Sequence, residues 1–378
     1  MSQRTDYIIL GSGLAGLSLA ARMVKSGLLE HQTLLIVDKA PKQGNDRTWC
    51  FWEYGKGFFE NCVYHQWPSL QFYSEGFEKD LDMYDYSYKM IRSGALYEYC
   101  YSILQGCKNV SFLYGEVSFH QSSRGNTEVR VNDELLDLDG ALVFNSILTK
   151  EPEHRLSLKQ HFKGWIIETT SPSFNPNKAT LMDFRVDQTE GSTFVYVLPL
   201  TETTALVEYT LFTANLLQDH QYDAALRNYI QQYLGITLYE VKETEFGVIP
   251  MTAAEFEFYK NGMYHIGTAG GQTKGSSGYT FQFVQKQTKS IVNSLLHRQK
   301  LQQVPAAGSR FHFYDRVLLE LLVNRTLEGR EIFTRLFQQN KAHRVFKFLD
   351  NETDLLEDLG IISSLQIVPF AKAAMRVM

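Results

Sequence analysis

Residues 5–38 read TDYIILGSGLAGLSLAARMVKSGLLEHQTLLIVD, and their pattern predicts a complete β-α-β unit. Residues 7–10 are apolar and predict a buried strand, which is followed by the glycine pattern G-x-G-x-x-G. Apolar residues at helical spacing over 14–24 predict a helix that opens at the glycines. A second apolar strand over 34–37 ends at Asp38, whose carboxylate is placed to accept hydrogen bonds from ribose hydroxyls. This order of elements is typical of dinucleotide-binding proteins.

The three glycines each permit a feature that a side chain would block. Gly11 permits the tight turn, Gly13 lets the backbone approach a pyrophosphate, and Gly16 lets helix and strand pack closely. The N–H groups of Leu14 and Ala15, at the positive end of the helix dipole, would then face the phosphates. The alternative, a glycine-rich turn that binds no ligand, accounts less well for a strand, glycines, a helix, a strand and an acid in the correct order.

Size and composition limit the class of protein. A chain of 378 residues exceeds the usual size of one domain, and its 44% hydrophobic content supports a large core. The net charge of −5 argues against a nucleic-acid partner. Four cysteines without C-x-x-C spacing favour reduced thiols in a cytosolic protein, and no metal site is predicted. An aromatic content of 13% suits either an aromatic-rich core or a pocket for a large hydrophobic substrate.

Three further regions are predicted along the chain. Short segments rich in β-branched and aromatic residues between about 160 and 212 predict an antiparallel sheet. Residues 267–278 hold five glycines just before a predicted helix, which makes them a second candidate anion cradle. Residues 311–378 are predicted to be helical. No uncharged apolar run reaches the roughly 20 residues that span a bilayer.

A series of separated motifs resembles that of one enzyme family, the lycopene cyclases. Five of their motifs are matched in the same order along this chain. The matches are M-D-[WF]-R at 182–185, Y-x-[ML]-P at 196–199, F-L-E-E-T at 206–210, I-P-M/L at 249–251 and the glycine-rich loop at 266–279. Residues 46–51 resemble the N-x-T-W-x-F segment of the bacterial members, and parts of 313–350 resemble their C-terminal region. The sequence departs from the family pattern at Tyr209, at Lys274-Gly275 in place of His-Pro, and at Asn145-Ser146.

The resemblance implies an α/β fold with a Rossmann-like FAD-binding domain, an antiparallel-sheet substrate domain of the aromatic-hydroxylase flavoprotein type, and a helical C-terminal region. The FAD-binding domain is expected to be discontinuous. It would comprise residues 1–50, 90–150 and 245–300, with the substrate domain at 51–89 and 151–244 and the helical region at 301–378.

The resemblance also implies a reaction, in which the ends of lycopene close into β-ionone rings without net redox change. Reduced FAD would be the cofactor and NAD(P)H its reductant. Besides the first glycine unit, the residues expected at the FAD are Arg47, Gly267, Gly270, Gly278 and Tyr279.

Glu208 is the predicted catalytic acid. It matches a Glu of F-L-E-E-T and lies in an apolar strand, where burial would favour the neutral acid. An alternating strand also allows a solvent-facing Glu208, since single acids in strands are usually exposed. Aromatic faces able to stabilise a carbocation are predicted at Trp49, Phe51, Trp52 and Tyr209, each of which would serve equally as core.

The sequence also allows two other functions, and it predicts a cellular location. A flavin- and NAD(P)H-dependent monooxygenase or reductase acting on an isoprenoid would use the same fold, and so would a prenyl-binding protein without catalysis. Because lycopene dissolves only in lipid, a cytoplasmic enzyme with peripheral membrane contact is expected, through residues 311–378 or an aromatic patch around 51–73. The oligomeric state is left open.

Overall fold

A six-stranded, mainly parallel sheet forms the nucleotide-type half of the molecule, which is described by a computed structural model for residues 5–121, 127–150, 153–304 and 308–378. With elements numbered in chain order, the strand order is β18-β19-β12-β1-β2-β8. The bounds are Tyr7–Leu10 (β1), Leu34–Asp38 (β2), Val110–Tyr114 (β8), Leu142–Asn145 (β12), Tyr259–Lys260 (β18) and Met263–His265 (β19). Only the β18–β19 pairing is antiparallel in this sheet. The predicted β-α-β unit is confirmed, since β1 and β2 pair in parallel and α1 lies between them in the chain.

Three helices pack with this sheet around one apolar cluster. They are α1 (Leu14–Lys25), α2 (Ser93–Gln105) and α4 (Phe281–Leu296). The α1 helix buries nearly all of its first two turns, because short residues such as Ala20 and Ala21 let it approach its neighbours closely.

A seven-stranded sheet forms the second half, in the order β17-β13-β16-β15-β14-β5-β6. The bounds are Ser69–Ser74 (β5), Phe77–Leu81 (β6), Ser157–Thr169 (β13), Lys178–Asp183 (β14), Ser192–Pro199 (β15), Thr204–Thr213 (β16) and Tyr239–Thr252 (β17). One face packs against helix α3 (Asp219–Tyr233), and the other face joins the largest apolar cluster. Since strand residues alternate between faces, each side chain of β16 belongs to one of these two environments.

Two three-stranded sheets complete the strands. One is ordered β3-β7-β4, from Thr48–Tyr54, Tyr86–Arg92 and Val63–Trp67. The other is ordered β11-β10-β9, from Glu134–Leu135, Thr127–Val131 and Val117–Gln121. The β3 strand connects the two halves, because its side chains contact both the seven-stranded sheet and α4.

The C-terminal region is helical, as predicted. Its helices are α5 (Ser309–Val323), α6 (Gly329–Gln339), α7 (Ala342–Leu349), α8 (Leu355–Ser363) and α9 (Ile367–Val377). They pack on the largest apolar cluster beside the seven-stranded sheet. No helix in the described part of the chain is long and apolar enough to cross a membrane.

Two of the predicted domain boundaries do not coincide with sheet boundaries. The division at residue 245 falls inside β17, a 14-residue strand that pairs with β13 from Tyr239 to Thr252. The division between residues 50 and 51 falls inside β3. Turn signals mark neither boundary, since Gly247 lies inside β17 and β3 contains no glycine. All four cysteines are free thiols, in line with the prediction from their spacing.

Candidate active site and cofactor cradle

The glycine unit after β1 has the geometry that its sequence predicts. Gly11 adopts a φ of +94°, in the region that favours glycine. A Cβ on Gly16 would lie 1.9 Å from the backbone oxygen of Gly11, so only glycine permits this helix–strand approach. A Cβ on Gly13 would meet nothing within 4 Å. The backbone therefore borders open space at the helix N-terminus, where Leu14 and Ala15 begin α1.

Asp38 closes this unit from the end of β2. Its Oδ2 accepts hydrogen bonds from the N–H of Ser12 at 2.5 Å and from the Ser12 hydroxyl at 2.8 Å. Burial alone would raise the pKa of Asp38, but these bonds and the nearby Lys42 ammonium lower it below its ordinary value. Asp38 is thus a carboxylate that fixes the glycine loop, and its contact with a ribose stays a prediction.

The second glycine-rich segment lies directly against the first. Gly267 has a φ of +61°, and a Cβ there would lie 2.6 Å from the Cβ of Ala15. A Cβ on Gly270 would lie 2.2 Å from the backbone oxygen of His265. The two glycine elements, far apart in the chain, therefore meet at the N-terminus of α1.

Polar atoms of the second loop fit a polar ligand. Gly278 has a φ of +71°, and a Cβ on it would lie 2.2 Å from Oε1 of Gln160 on β13. This Oε1 atom and the Ser277 hydroxyl are buried and have no hydrogen-bond partner among the described residues. Buried polar atoms without partners are rare in folded proteins, so a ligand with donors and acceptors would suit this place.

Arg47 lies on the surface before β3. Its N–H donates to the Ser93 hydroxyl at the start of α2, and its guanidinium donates to the backbone oxygen of Asp46. The structure thus ties the Arg47 backbone to the nucleotide-type half but leaves the side chain exposed. Its contact with a cofactor stays a prediction.

Glu208 points from β16 toward the largest apolar cluster, the face opposite α3. The alternation of β16 puts Leu206 in this cluster, while Val207 and Tyr209 lie in the cluster that packs on α3. The Thr210 hydroxyl donates to Oε1 of Glu208 at 2.9 Å. Burial, and next the charge of Glu245, raises the pKa of Glu208 well above its ordinary value. A neutral carboxylic acid is the form that donates a proton.

Weakly acidic groups from β3, β7, β15 and the second glycine loop surround Glu208. Tyr196 is its cross-strand partner on β15, and Cys50, Tyr88 and Tyr279 interact with it electrostatically. Burial raises the pKa of all four groups, so the thiol and the phenols stay neutral. Glu208 therefore faces polar but uncharged side chains, apart from one carboxyl group.

That group is Glu245 on β17, a residue not predicted from the sequence. Both Glu208 and Glu245 are paired in register with Gly164 of the intervening strand β13. The Thr48 hydroxyl of β3 donates to Oε2 of Glu245 at 2.7 Å. Register across three strands cannot be read from the sequence, although Glu245 lies four residues before the Ile249-Pro250-Met251 motif.

The predicted aromatic residues are brought together only in part. Phe51 stacks on Phe281 of α4 with ring centroids 4.0 Å apart, and Trp49 lies 6.3 Å from the same ring. Trp52 contacts Tyr279 at 4.5 Å, next to Glu208. Tyr209 is separated from this group because successive strand residues point to opposite faces, and it packs in the cluster with α3.

Comparison with known proteins identifies the family of this chain. The family model described as "Lycopene cyclase protein" matches residues 6–375. The chain belongs to the lycopene cyclase family. It is 25% identical over 306 residues to the chloroplastic lycopene beta cyclase of Arabidopsis thaliana. The aligned region covers 74% of this chain and 57% of that relative. The chain is 27% identical over 257 residues to a lycopene beta-cyclase of Pseudescherichia vulneris, which covers 66% and 62%. The chain thus spans about three fifths of the length of these curated relatives.

Solved structures share the fold at low sequence identity. A triple mutant of the flavin-dependent brominase Bmp2 matches with a TM-score of 0.61 at 11% identity, covering 99% of each chain. A flavoprotein/dehydrogenase from Cytophaga hutchinsonii matches with a TM-score of 0.57 at 12% identity, also covering 99% of each chain. The predicted α/β flavoprotein fold is confirmed.

At two positions where this chain differs from the lycopene cyclase motifs, the residue makes defined contacts in the structure. Lys274, at the place of the family's His-Pro, is buried and pairs with Asp315 of α5 at 2.9 Å. Asn145, at the end of β12, donates to the backbone oxygen of Ile147 and lies 3.2 Å from Nδ1 of His265. Lys274 thus joins the second glycine loop to α5, whereas Asn145 contacts a neighbouring strand of the same six-stranded sheet.

Asp350, in the family-like C-terminal segment, accepts a hydrogen bond from Trp52 Nε1 at 2.8 Å. Burial raises the pKa of Asp350 to about 7, against the opposing charge of Lys286. The folded chain therefore holds this proton more tightly than the unfolded chain, where the ordinary pKa is 3.8. The associated stabilisation is fully present below about pH 4 and is lost as the pH rises through about 7.

Replacing Asp350 with asparagine tests this pH dependence. The amide oxygen still accepts from Trp52 but never ionises, so D350N is expected to gain stability relative to the wild type between pH 5 and pH 8. The gain is at most about 4 kcal/mol. Urea unfolding at both pH values measures it, and an equal difference at the two values would contradict the assignment.

Proposed function

We propose that the protein is a lycopene beta-cyclase, an enzyme that converts the ends of a linear carotenoid into rings without net oxidation or reduction. The proposal rests on one observation above the others. Glu208, a carboxyl group with a raised pKa, faces the apolar cluster and neutral side chains of β3, β7, β15 and the second glycine loop. Family membership supports a carotenoid as the substrate.

The chemistry needs a proton on carbon and its later removal. In the proposed first step, the Glu208 carboxyl donates its proton to the terminal double bond and becomes a carboxylate. The resulting tertiary carbocation is attacked by the neighbouring double bond, which closes a six-membered ring. The Glu208 carboxylate then takes a proton from the ring, which restores the acid and leaves an isomer of the substrate.

Side chains around Glu208 suit a cationic intermediate. Tyr279 lies beside Glu208 and Trp52 contacts Tyr279, and ring faces stabilise cations by about 0.5–2 kcal/mol each. Trp52 is also held by Asp350, so its indole has a fixed orientation. The apolar cluster on this face would keep water from capturing the carbocation.

The residues present fit FAD as the cofactor of this reaction. Leu14 and Ala15 would bind the pyrophosphate at the open border of Gly13, and the loop at 277–279 would bind the flavin end. Bound in its reduced, anionic form, FAD would supply negative charge that stabilises a carbocation. NAD(P)H is the proposed source of the reducing electrons, and it would not be consumed in proportion to product.

An anaerobic assay tests the proposal. Purified protein is incubated with FAD, NADPH and lycopene in phospholipid vesicles, and the products are separated by chromatography. Ringed carotenoids formed with less than stoichiometric NADPH oxidation would support a cyclase. Oxidised or reduced isoprenoid products with stoichiometric NADPH loss would instead identify a monooxygenase or reductase, and substrate binding without turnover would identify a carrier.

The C-terminal helices α8 and α9 are the proposed membrane contact. Six large apolar side chains on them are 61–79% exposed, namely Leu355, Leu356, Leu359, Ile367, Val368 and Met375. Lys372 and Arg376 are exposed on α9 among them, which suits anionic headgroups. A substrate that dissolves only in lipid requires such a contact.

Acidic substitutions on these helices are expected to weaken lipid binding. The double variant Leu356→Asp and Ile367→Asp removes two exposed apolar side chains, so the vesicle-bound fraction should fall by about tenfold or more. Flotation with anionic phospholipid vesicles measures this fraction. Leu238→Asp is the matched control, since Leu238 is 74% exposed but lies outside these helices. Equal losses in both proteins would refute a specific contact through α8 and α9.

A further inference from the structure

Glu208, Gly164 and Glu245 form a row across three adjacent strands. Gly164 of β13 is paired with Glu208 of β16 on one side and with Glu245 of β17 on the other. Residues in such register project to the same face of a sheet. The two carboxyl groups therefore share one face, separated only by a residue that has no side chain.

The missing side chain lets the carboxyl groups meet. A Cβ on Gly164 would lie 2.9 Å from Cδ1 of Leu206, and 3.0 and 3.2 Å from Cγ and Oε1 of Glu245. The Glu245 side chain thus leans over Gly164, and the two carboxyl groups come within hydrogen-bonding reach. Any larger residue at 164 would occupy the space that this approach uses.

Separate hydroxyl groups orient the two carboxyl groups. Thr48 donates to Oε2 of Glu245 at 2.7 Å, and Thr210 donates to Oε1 of Glu208 at 2.9 Å. Each acid therefore keeps its other oxygen available for the partner. Thr48 comes from β3, so the position of Glu245 depends on how this strand packs against the seven-stranded sheet.

Among the described residues that face Glu208, Glu245 is the one other carboxyl group. Cys50 from β3, Tyr88 from β7, Tyr196 from β15 and Tyr279 from the second glycine loop stay neutral because burial raises their pKa values. Gly164 of β13 contributes no side chain. The charge of Glu245 raises the pKa of Glu208, second in effect only to burial.

We propose that Glu245 is a positioning residue for the acid, and that it and Glu208 hold one proton between them across Gly164. This inference rests on the proposed cyclase function. It assigns the second carboxyl group to β17 rather than to the residue after Glu208, where the family motif has Glu and this chain has Tyr209 on the opposite face.

The proton balance of the pair is simple. Before the reaction the pair carries one proton, on Glu208, and one negative charge, on Glu245. Donation to the terminal double bond of the substrate leaves two carboxylates beside one tertiary carbocation. Removal of the ring proton returns the pair to its starting state, so no proton is gained or lost in a cycle.

Three variants and a control test the pair. Glu245→Gln is expected to lower kcat by about tenfold or more at neutral pH. It should also move the alkaline limb of kcat/KM to lower pH by about one unit, because the pKa of Glu208 falls when the neighbouring charge is removed. Glu245→Asp keeps the charge and should restore much of kcat and of the alkaline limb of kcat/KM. Gly164→Ala should resemble Glu245→Gln. Glu240→Gln, at an exposed site on the same strand, should leave turnover unchanged.

The outcomes separate this inference from the proposed function. A wild-type protein that forms no rings overturns the proposed cyclase, and the pair with it. An active wild type, together with a Glu245→Gln variant of unchanged kcat and pH profile, overturns the pair alone. A loss of kcat with an unmoved pH profile, or an equal loss in the Asp and Gln variants, would also overturn it by indicating only a structural role. FAD content and thermal unfolding of each variant are measured in parallel.

Discussion

Glu208→Gln is expected to lower kcat for ring closure by about 10²–10⁴-fold, the usual contribution of a general acid. Glutamine keeps the shape and the acceptor for the Thr210 hydroxyl but has no proton to donate to carbon. Because glutamine keeps the size of the Glu208 side chain and the glycine unit at Gly13 is not altered, FAD should still bind. Single-turnover chromatography with lycopene vesicles, combined with FAD titration by fluorescence, measures the two quantities separately.

The control for this variant is Glu202→Gln, the same chemical change at an exposed turn between β15 and β16. It should retain wild-type turnover. A Glu208→Gln protein that binds FAD and still forms rings at more than about a tenth of the wild-type rate would show that another group donates the proton. The second carboxyl group, Glu245, would then be the first candidate.

Much of the fold follows from local sequence. The β-α-β unit at 5–38 is predictable because strand, glycines, helix and acid occur within one short segment. The second glycine element is likewise recognisable, since glycines directly precede a helix at 281. The contact between the two elements, in which Gly267 lies against Ala15, cannot be predicted from the sequence. That contact depends on a strand pairing between β12 and β19, more than a hundred residues apart in the chain.

The candidate site shows the same division between local and distant information. Glu208 is predictable because it lies in a motif, and the separation of Tyr209 from it follows from the two-residue period of a strand. Glu245 and Gly164 are not predictable from one sequence, because their approach requires the register of three strands. Asp350 likewise meets Trp52 only through the packing of α7 against β3.

Alanine at Gly16 and at Gly13 is expected to have opposite effects on folding and on cofactor binding. At Gly16 the new Cβ would overlap the backbone oxygen of Gly11 at 1.9 Å, and backbone atoms in a packed turn cannot move away cheaply. Gly16→Ala should therefore lower the free energy of unfolding by about 3 kcal/mol or more, even without FAD. At Gly13 a Cβ meets no protein atom within 4 Å, so the apoprotein should stay within about 1 kcal/mol of the wild type.

The Gly13→Ala methyl group would instead occupy the space in which the pyrophosphate approaches the backbone, and FAD affinity should fall by about tenfold or more. Urea unfolding of the apoproteins and fluorescence titration with FAD measure the two effects. Gly360→Ala is the control for a glycine whose Cβ would also meet nothing within 4 Å, in helix α8, where alanine should add up to about 1 kcal/mol of stability. If Gly13→Ala binds FAD as tightly as the wild type, the pyrophosphate does not lie at this glycine. If Gly16→Ala is as stable as the wild type, the close approach of α1 to the turn after β1 is not what holds this unit together.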